Sequence, residues 1–381
     1  MPWESRTVEE QRREFAEAAE CCRNFSALCR EFGITRKTGY KWAERYREGQ
    51  SLSDQSRKPL NSPGKTPPDV EQKILLLRSE NPGWGAATLK KVLENSGEEG
   101  IPSARTVNNI LNRNGCIDEE ESLKRRPFER YEKDACNEMW QADFKGEFRT
   151  ADGKYCYPLD ILDDHSRFAI RIAASDSTAN VVKKCFESAF SEYGMPKSIL
   201  SDNGAQFAGF KHGYTQFEKW LMSLDILPIH GRIRHPQTQG KIERFHRSMK
   251  EELLKYRVFE NASDADAALQ EWRYKYNYIR PHEALGMKCP GDVYTPSDRQ
   301  YTGEITPWEY GGQYHVLKVN SWGYVRFDRY QVYLSETMID EYVEFRPSAD
   351  GNTFEVCFRN FKIAEFSTDT GERLNRNIHR L

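Results

Sequence analysis

No stretch of the 381 residues is apolar for the length a membrane-spanning helix needs, so no membrane role is expected. The first residues, Met1-Pro2-Trp3-Glu4-Ser5-Arg6, lead into charged sequence rather than into the apolar core of a signal peptide. Cysteine is present but unpatterned. Nine are scattered along the chain, and the one cluster, Cys21, Cys22 and Cys29, lacks the paired spacing and histidines of a zinc module. That usage fits a reducing cytoplasm rather than a disulfide scaffold. A large net charge is also missing, the formal value being −2. What is there is a polar chain, 38% hydrophobic and 30% charged, long enough for roughly two to four domains.

The near-neutral total hides two basic segments. Between Phe32 and Thr66, eight cations (Arg36, Lys37, Lys41, Arg45, Arg47, Arg57, Lys58 and Lys65) face three acids. Between Ile229 and Val258 the count is again eight to three, with Arg232, Arg234, Lys241, Arg244, Arg247, Lys250, Lys255 and Arg257. Phosphate binding follows local potential, so a nucleic acid stays the favoured partner.

The N-terminal part reads as helical. A short amphipathic helix around Phe25–Phe32 stops at Gly33, Thr35 is a candidate N-cap, and a second helix opens on Arg36 and Lys37. That is the layout of a helix-turn-helix over 7–53, with Ile34, Tyr40 and Trp42 for packing. Arg36, Lys37, Thr38, Lys41 and Arg45 are its candidate DNA contacts. A Pro-, Gly- and Ser-rich linker over 54–68 precedes a second helix-turn-helix-like domain over 69–115. There Ser103 caps the last helix, and Arg105, Thr106, Asn109 and Arg113 face outward. A charged connector is expected over 116–135. The region 136–295 then alternates strands and helices, which predicts an α/β core with a mixed five-stranded sheet. Its last helix, over Ser263–Tyr278, has Ser263 as the expected cap. Short strand-like runs follow over 310–370 and predict a small all-β, barrel-like domain.

Three acids stand out: Asp143 in Trp140-Gln141-Ala142-Asp143-Phe144, Asp202 in Ser201-Asp202-Asn203-Gly204, and Glu243 in Gln239-Gly240-Lys241-Ile242-Glu243-Arg244. Asp143 falls in the first core strand, Asp202 directly after the fourth, and Glu243 near the start of a long helix over Gly240–Tyr256. Carboxylates brought within about 4 Å repel by roughly 4 kcal/mol per pair at an effective dielectric near 20. That cost makes little sense in a structural device. It is removed by Mg²⁺ or Mn²⁺, and two such ions would serve in-line attack on phosphorus. Lys241, Arg244, Arg247 and Lys250 would bind phosphates beside the bond that breaks.

These residues carry a resemblance. Together with Leu162-Asp163-Asp164-His165-Ser166-Arg167, His235-Pro236-Gln237-Thr238-Gln239-Gly240 and Tyr276-Asn277-Tyr278-Ile279-Arg280-Pro281-His282, they make the central region similar to the catalytic core of the retroviral-integrase superfamily. The chain as a whole resembles bacterial insertion-sequence transposases of that group. The resemblance implies an RNase H-like core and a DDE triad of Asp143, Asp202 and Glu243 as catalytic residues and metal ligands. Asn203, His235 and His246, in the same motifs, join the candidate DNA contacts. Asp163 and Asp164 are expected to be structural, working with Ser166 and Arg167. The interval between the second and third acids is longer than integrases usually have, and the extra length is assigned to Ala208–Tyr214.

The expected activity is therefore cleavage and joining of double-stranded DNA at element ends and target. The protein would act as a dimer or larger oligomer in the cytoplasm, associated with the nucleoid. A nuclease with the same core, or an inactive sequence-specific regulator, are the alternatives. On this reading, replacing Arg36 and Lys37 together by Ala weakens DNA binding and flattens the slope of log K against log [salt] by roughly 2, one unit for each phosphate no longer neutralised. Filter-binding titrations at several salt concentrations measure it, and an unchanged slope places these cations away from phosphate.

Overall fold

The computed structural model describes residues 7–54, 65–117, 132–175, 179–204, 206–208, 213–231, 240–348, 351–375 and 377–381. Most of the expected linker and connector, His235, and part of Ala208–Tyr214 lie outside the described residues. The chain divides into two compact units, Met1–Lys65 and Thr66–Leu381.

The first unit holds three helices: α1 (Val8–Cys21), α2 (Phe25–Glu31) and α3 (Arg36–Arg47). Thr7 and Glu10 form a reciprocal capping box on α1, Asn24 caps α2, and Thr35 accepts from the Thr38 N–H to cap α3 as its sequence suggests. Gly33, with φ +64°, turns the chain between α2 and α3. Phe15, Cys29, Trp42 and Leu52 form the small core. Tyr40, expected inside, is half exposed and stacks on Phe25 at 4.4 Å between ring centroids.

The second unit begins with α4 (Pro68–Glu80), α5 (Ala86–Asn95) and α6 (Ala104–Arg113), closed around Ile74, Trp84, Leu89, Val107 and Ile110. Ser103 caps α6 through the Thr106 N–H. Strands β1 (Trp140–Phe144), β2 (Phe148–Arg149), β3 (Tyr155–Asp163), β4 (Ala169–Ser175), β5 (Ser198–Ser201) and β6 (Leu227–His230) make the central mixed sheet. β3 lies antiparallel between β1 and β4, while β1, β5 and β6 run parallel. Five strands form the body, ordered β4-β3-β1-β5-β6, and β2 pairs with the start of β3. Helices α7 (Ala179–Tyr193) and α8 (Gln216–Ser223) cover one face, packing Phe186, Phe190 and Trp220 on Trp140, Leu159 and Ile161. Helices α9 (Gly240–Met249) and α10 (Ala262–Tyr274) cover the other, where Phe245, Met249 and Trp272 meet Leu162 and Ile172.

Two local expectations change. The long helix over Gly240–Tyr256 is α-helical only to Met249 and then widens into a π-turn over Lys250–Leu254. The cap of α10 is Asn261 rather than Ser263, because the Asn261 carboxamide accepts from both the Ser263 and Asp264 N–H groups.

The C-terminal part is all-β. Strands β7 (His315–Lys318), β10 (Tyr342–Pro347), β11 (Thr353–Phe358), β12 (Phe361–Ser367) and β13 (Arg373–Asn375) make an antiparallel sheet, joined by β14 (His379–Arg380). The hairpin of β8 (Tyr324–Phe327) and β9 (Tyr330–Tyr333) stands beside it. Tyr214 and Met222 of the central region are buried in this β core. The Tyr214 hydroxyl bonds the Ile363 carbonyl and the Arg373 guanidinium.

Gly39 sets two effects against each other. Alanine is favoured over glycine in a helix by about 1 kcal/mol. A Cβ at Gly39 would stand 2.7 Å from Cys29 Sγ and 2.9 Å from Phe15 Cζ, both core atoms. Overpacking costs about 1–3 kcal/mol and wins. Gly39→Ala is expected to lower the unfolding midpoint of the N-terminal unit in a thermal melt, whereas an unchanged midpoint would mean that α2 yields freely.

Candidate active site

Strand parity builds the site. Along β1, Trp140 and Ala142 point into the core under α7 and α8, so Gln141 and Asp143 point to the face under α9. On the parallel edge, Ala142 pairs with Ser201, which brings Asp143 and Asp202 level with each other at adjoining strand ends. On the antiparallel edge, Asp143 is directly opposite Asp160.

Little protein charge compensates Asp143. Burial pushes its carboxyl up to about 6, with Asp202 and Asp160 adding to the rise while His246 and the Phe144 N–H oppose it. Asp202 accepts from the Gly204 N–H at 2.9 Å, which fixes the turn after β5. Glu243 lies exposed on α9, one turn before His246. His246 Nδ1 is 3.9 Å from Asp143 and its Nε2 is 2.8 Å from Asp160, the latter off the ring N–H direction. Asp160 is fully buried; burial pushes its carboxyl up, and His246 pulls the other way. Among the described residues, no three His, Cys, Asp or Glu side chains already stand close enough to hold a metal ion. The structure thus brings Asp143 and Asp202 together and leaves Glu243 on the neighbouring helix, pointing outward. Paired, under-compensated carboxylate oxygens are the donors that a hard divalent cation takes.

Two expected DNA contacts are redirected. Lys241 is mostly buried, its Nζ 2.5 Å from Asp164 Oδ2 and 2.9 Å from the Asp164 carbonyl, so it serves the fold rather than phosphate. His246 is buried against the two aspartates. Arg244, Arg247 and Lys250 remain exposed on α9. Asn203 is exposed, but its amide nitrogen donates to the Gly231 carbonyl at 2.9 Å, tying the end of β5 to β6. In the first unit Arg36, Lys37 and Lys41 are exposed and Thr38 is half-buried, whereas the Arg45 guanidinium lies over the Trp42 ring at 5.1 Å. On α6, Arg105 and Asn109 are exposed and Thr106 is half-buried. Arg113 faces outward as expected and bonds Glu71 at the surface.

Asp163 is structural, accepting from the Asn137 N–H at 2.8 Å and from the Ser166 N–H and Oγ at 2.8 and 2.6 Å. Arg167 turns the chain with φ +64° and pairs with Glu132 at 3.1 Å. Asp160 was not among the expected residues. Its signal is a lone charge inside the apolar run Tyr157-Pro158-Leu159-Asp160-Ile161-Leu162.

Comparison with known proteins matches two integrase core domain models, over residues 133–236 and 224–290. A helix-turn-helix domain model matches residues 12–59 and a homeodomain-like domain model residues 38–111. The integrase core matches thus cover the central region, residues 133–290. Among the relatives, an uncharacterised 31.7 kDa protein of insertion element IS407 from Burkholderia multivorans is 25% identical over 42% of this chain and 55% of its own length. An uncharacterised 39.2 kDa protein of insertion element IS476 from Xanthomonas euvesicatoria is also 25% identical, over 46% of this chain and 49% of that one. The chain thus spans about half the length of these curated relatives. The HTLV-2 integrase catalytic core domain, solved with magnesium, is 20% identical over 42% of this chain and 97% of that one, with a TM-score of 0.33.

Burial favours the protonated form of the Asp143 carboxyl. The fold holds a proton there which the unfolded chain releases, so the group contributes stability at low pH that is lost as pH rises through about 6. Between about pH 4 and about pH 7, the metal-free protein is expected to lose thermal stability relative to Asp143→Asn, which cannot titrate. Parallel melting curves for the two would contradict the shift.

Proposed function

We propose that this protein is a transposase that binds the ends of an insertion element and catalyses metal-dependent cleavage and strand transfer. The observation that carries the reading is the pair Asp143 and Asp202, level at the adjoining ends of parallel strands in an integrase core. The helix-turn-helix and homeodomain-like matches ahead of it, and the insertion-element relatives, support DNA ends as the substrate.

In this reading Asp143, Asp202 and Glu243 hold Mg²⁺ or Mn²⁺, two ions in all. When bound, these ions supply charge neutralisation and an activated water or 3′-hydroxyl for in-line displacement at phosphorus. The protein's own part is placement. β1 and β5 present two carboxylates at one level, and the neighbouring helix α9 carries Glu243, exposed like Arg244, Arg247 and Lys250, the cations that would meet phosphate. The exposed cations of α3, with Arg105 and Asn109 of α6, recognise the element ends, His235 and Asn203 would contact the DNA, and target DNA enters over α9. Two ends must be held at once, so the active form is a dimer or larger, working on the nucleoid in the cytoplasm.

Asp143→Asn is expected to lower strand joining by at least about a thousandfold, the scale of losing metal-assisted charge stabilisation, while end binding stays within about twofold. Labelled end DNA, Mg²⁺ and a target plasmid provide the assay. Cleavage without joining by the unmodified protein would make it a nuclease, binding without cleavage would make it a regulator, and equal loss of binding in Asp143→Asn would remove the catalytic role.

A further inference from the structure

The apolar contacts of α9 leave its position along the sheet undetermined. Ile242, Phe245 and Met249 are buried and recur at intervals of three and four residues. Sliding the helix by one turn would set an equivalent apolar side chain over Leu162 and Ile172. The same slip would move Glu243 by about 5.4 Å along the axis, enough to take it out of any shared site with Asp143.

The sheet face beneath α9 is not uniformly apolar. Asp143 pairs with Asp160 and Gln141 with Leu162, so parity puts Gln141, Asp143 and Asp160 on this face, followed by Asp164 just past the end of β3. Asp160, Gln141 and Asp164 each meet a different group of α9. Lys241 Nζ reaches Asp164 Oδ2 at 2.5 Å, and the same carboxylate accepts from Gln141 Nε2 at 2.7 Å. Gln141 Oε1 accepts at 3.3 Å from the Ile242 N–H, one of the donors left open at a helix N-terminus. His246 Nε2 stands 2.8 Å from Asp160.

The lengths agree with this assignment. Asp160 and Asp164 are about 13 Å apart along an extended chain. Lys241 and His246 differ by about 7.5 Å of helical rise, and the long lysine stem takes up the remainder. All the groups involved are buried or nearly so. A one-turn slip would strand at least one charge without its partner, whereas an apolar mismatch would cost little.

We infer that Gln141, Asp160 and Asp164 are positioning residues that set the register of α9, and with it the reach of Glu243 towards Asp143 and Asp202. The inference builds on the strand-transfer reading of those three acids, but the latch itself exists without metal or DNA. Its test uses Asp164→Leu/Lys241→Met in the full chain, a pair of changes that leaves no charge buried alone. Hydrogen exchange of the amides over 243–250 is followed in metal-free protein, and Mn²⁺ affinity is measured by calorimetry. Exchange in that segment is expected to be at least about tenfold faster with the sheet amides unchanged, and Mn²⁺ binding about 10–100-fold weaker. Either quantity remaining at its wild-type value overturns the inference. Should the double variant not fold, Gln141→Leu removes the middle contact while leaving the Lys241–Asp164 pair in place, and is read by the same two measurements. Wild-type protein that binds Mn²⁺ yet joins no DNA ends would defeat the strand-transfer reading alone, while the exchange rates still decide the latch.

Discussion

Strand β1 is hydrogen-bonded on both edges, antiparallel to β3 and parallel to β5, and its two faces carry opposite chemistry. Trp140 and Ala142 enter an apolar core crowded with phenylalanines, while Gln141 and Asp143 meet a helix through polar contacts. A shift of one residue in either pairing would put a carboxylate among the rings and an indole beneath α9. The register is therefore strongly specified, and everything at the candidate site inherits it. Asp202 is level with Asp143 because Ser201 pairs with Ala142, and Asp160 faces Asp143 because the β1–β3 pairing is antiparallel.

The same alternation divides the charge of α9. Lys241 and His246 turn inward and are consumed by buried aspartates, while Arg244 and Arg247 stay in water. A count of basic residues over the segment treats all of them alike. Only the helical period separates cations that hold the helix down from cations left to meet an anion. A buried ion pair is weak evidence for stability, since desolvation offsets much of its attraction. Its value here lies in specificity, because it distinguishes one helix register from its neighbour one turn away.

Much of this was legible in the residues. The caps at Thr35 and Ser103 act through local hydrogen bonds, so their short-range signals survived folding intact. The alternation of apolar residues located most strands of the core and of the β region, since period two is imposed by the pleat itself. The inward fate of Lys241 was not legible, because it depends on where Asp164 stands after the β3 turn, a tertiary fact. The role of Asp160 is hidden for the same reason: a lone acid in an apolar strand acquires meaning only once its cross-strand partner is known. The shift of the α10 cap from Ser263 to Asn261 reflects two adequate capping residues two positions apart, between which sequence alone does not decide.

Between Asp202 and Glu243 the chain is fixed at Tyr214. Its ring lies in the core of the β region, its hydroxyl is held by Ile363 and Arg373, and its backbone N–H and carbonyl are bonded by Ser335 and Thr337. A residue fixed at both backbone and side chain cannot move without breaking into that core. The chain is therefore fixed at Tyr214 by a region that contributes none of the three acids. On the other side of Tyr214, Thr215 and Glu218 cap α8, and Glu218 in turn holds His230 at the end of β6 at 2.9 Å. Added length between two acids would ordinarily loosen their relation, because a longer loop samples more conformations. Here the chain between them is held at Tyr214 inside a second hydrophobic core, by side chains of the β region.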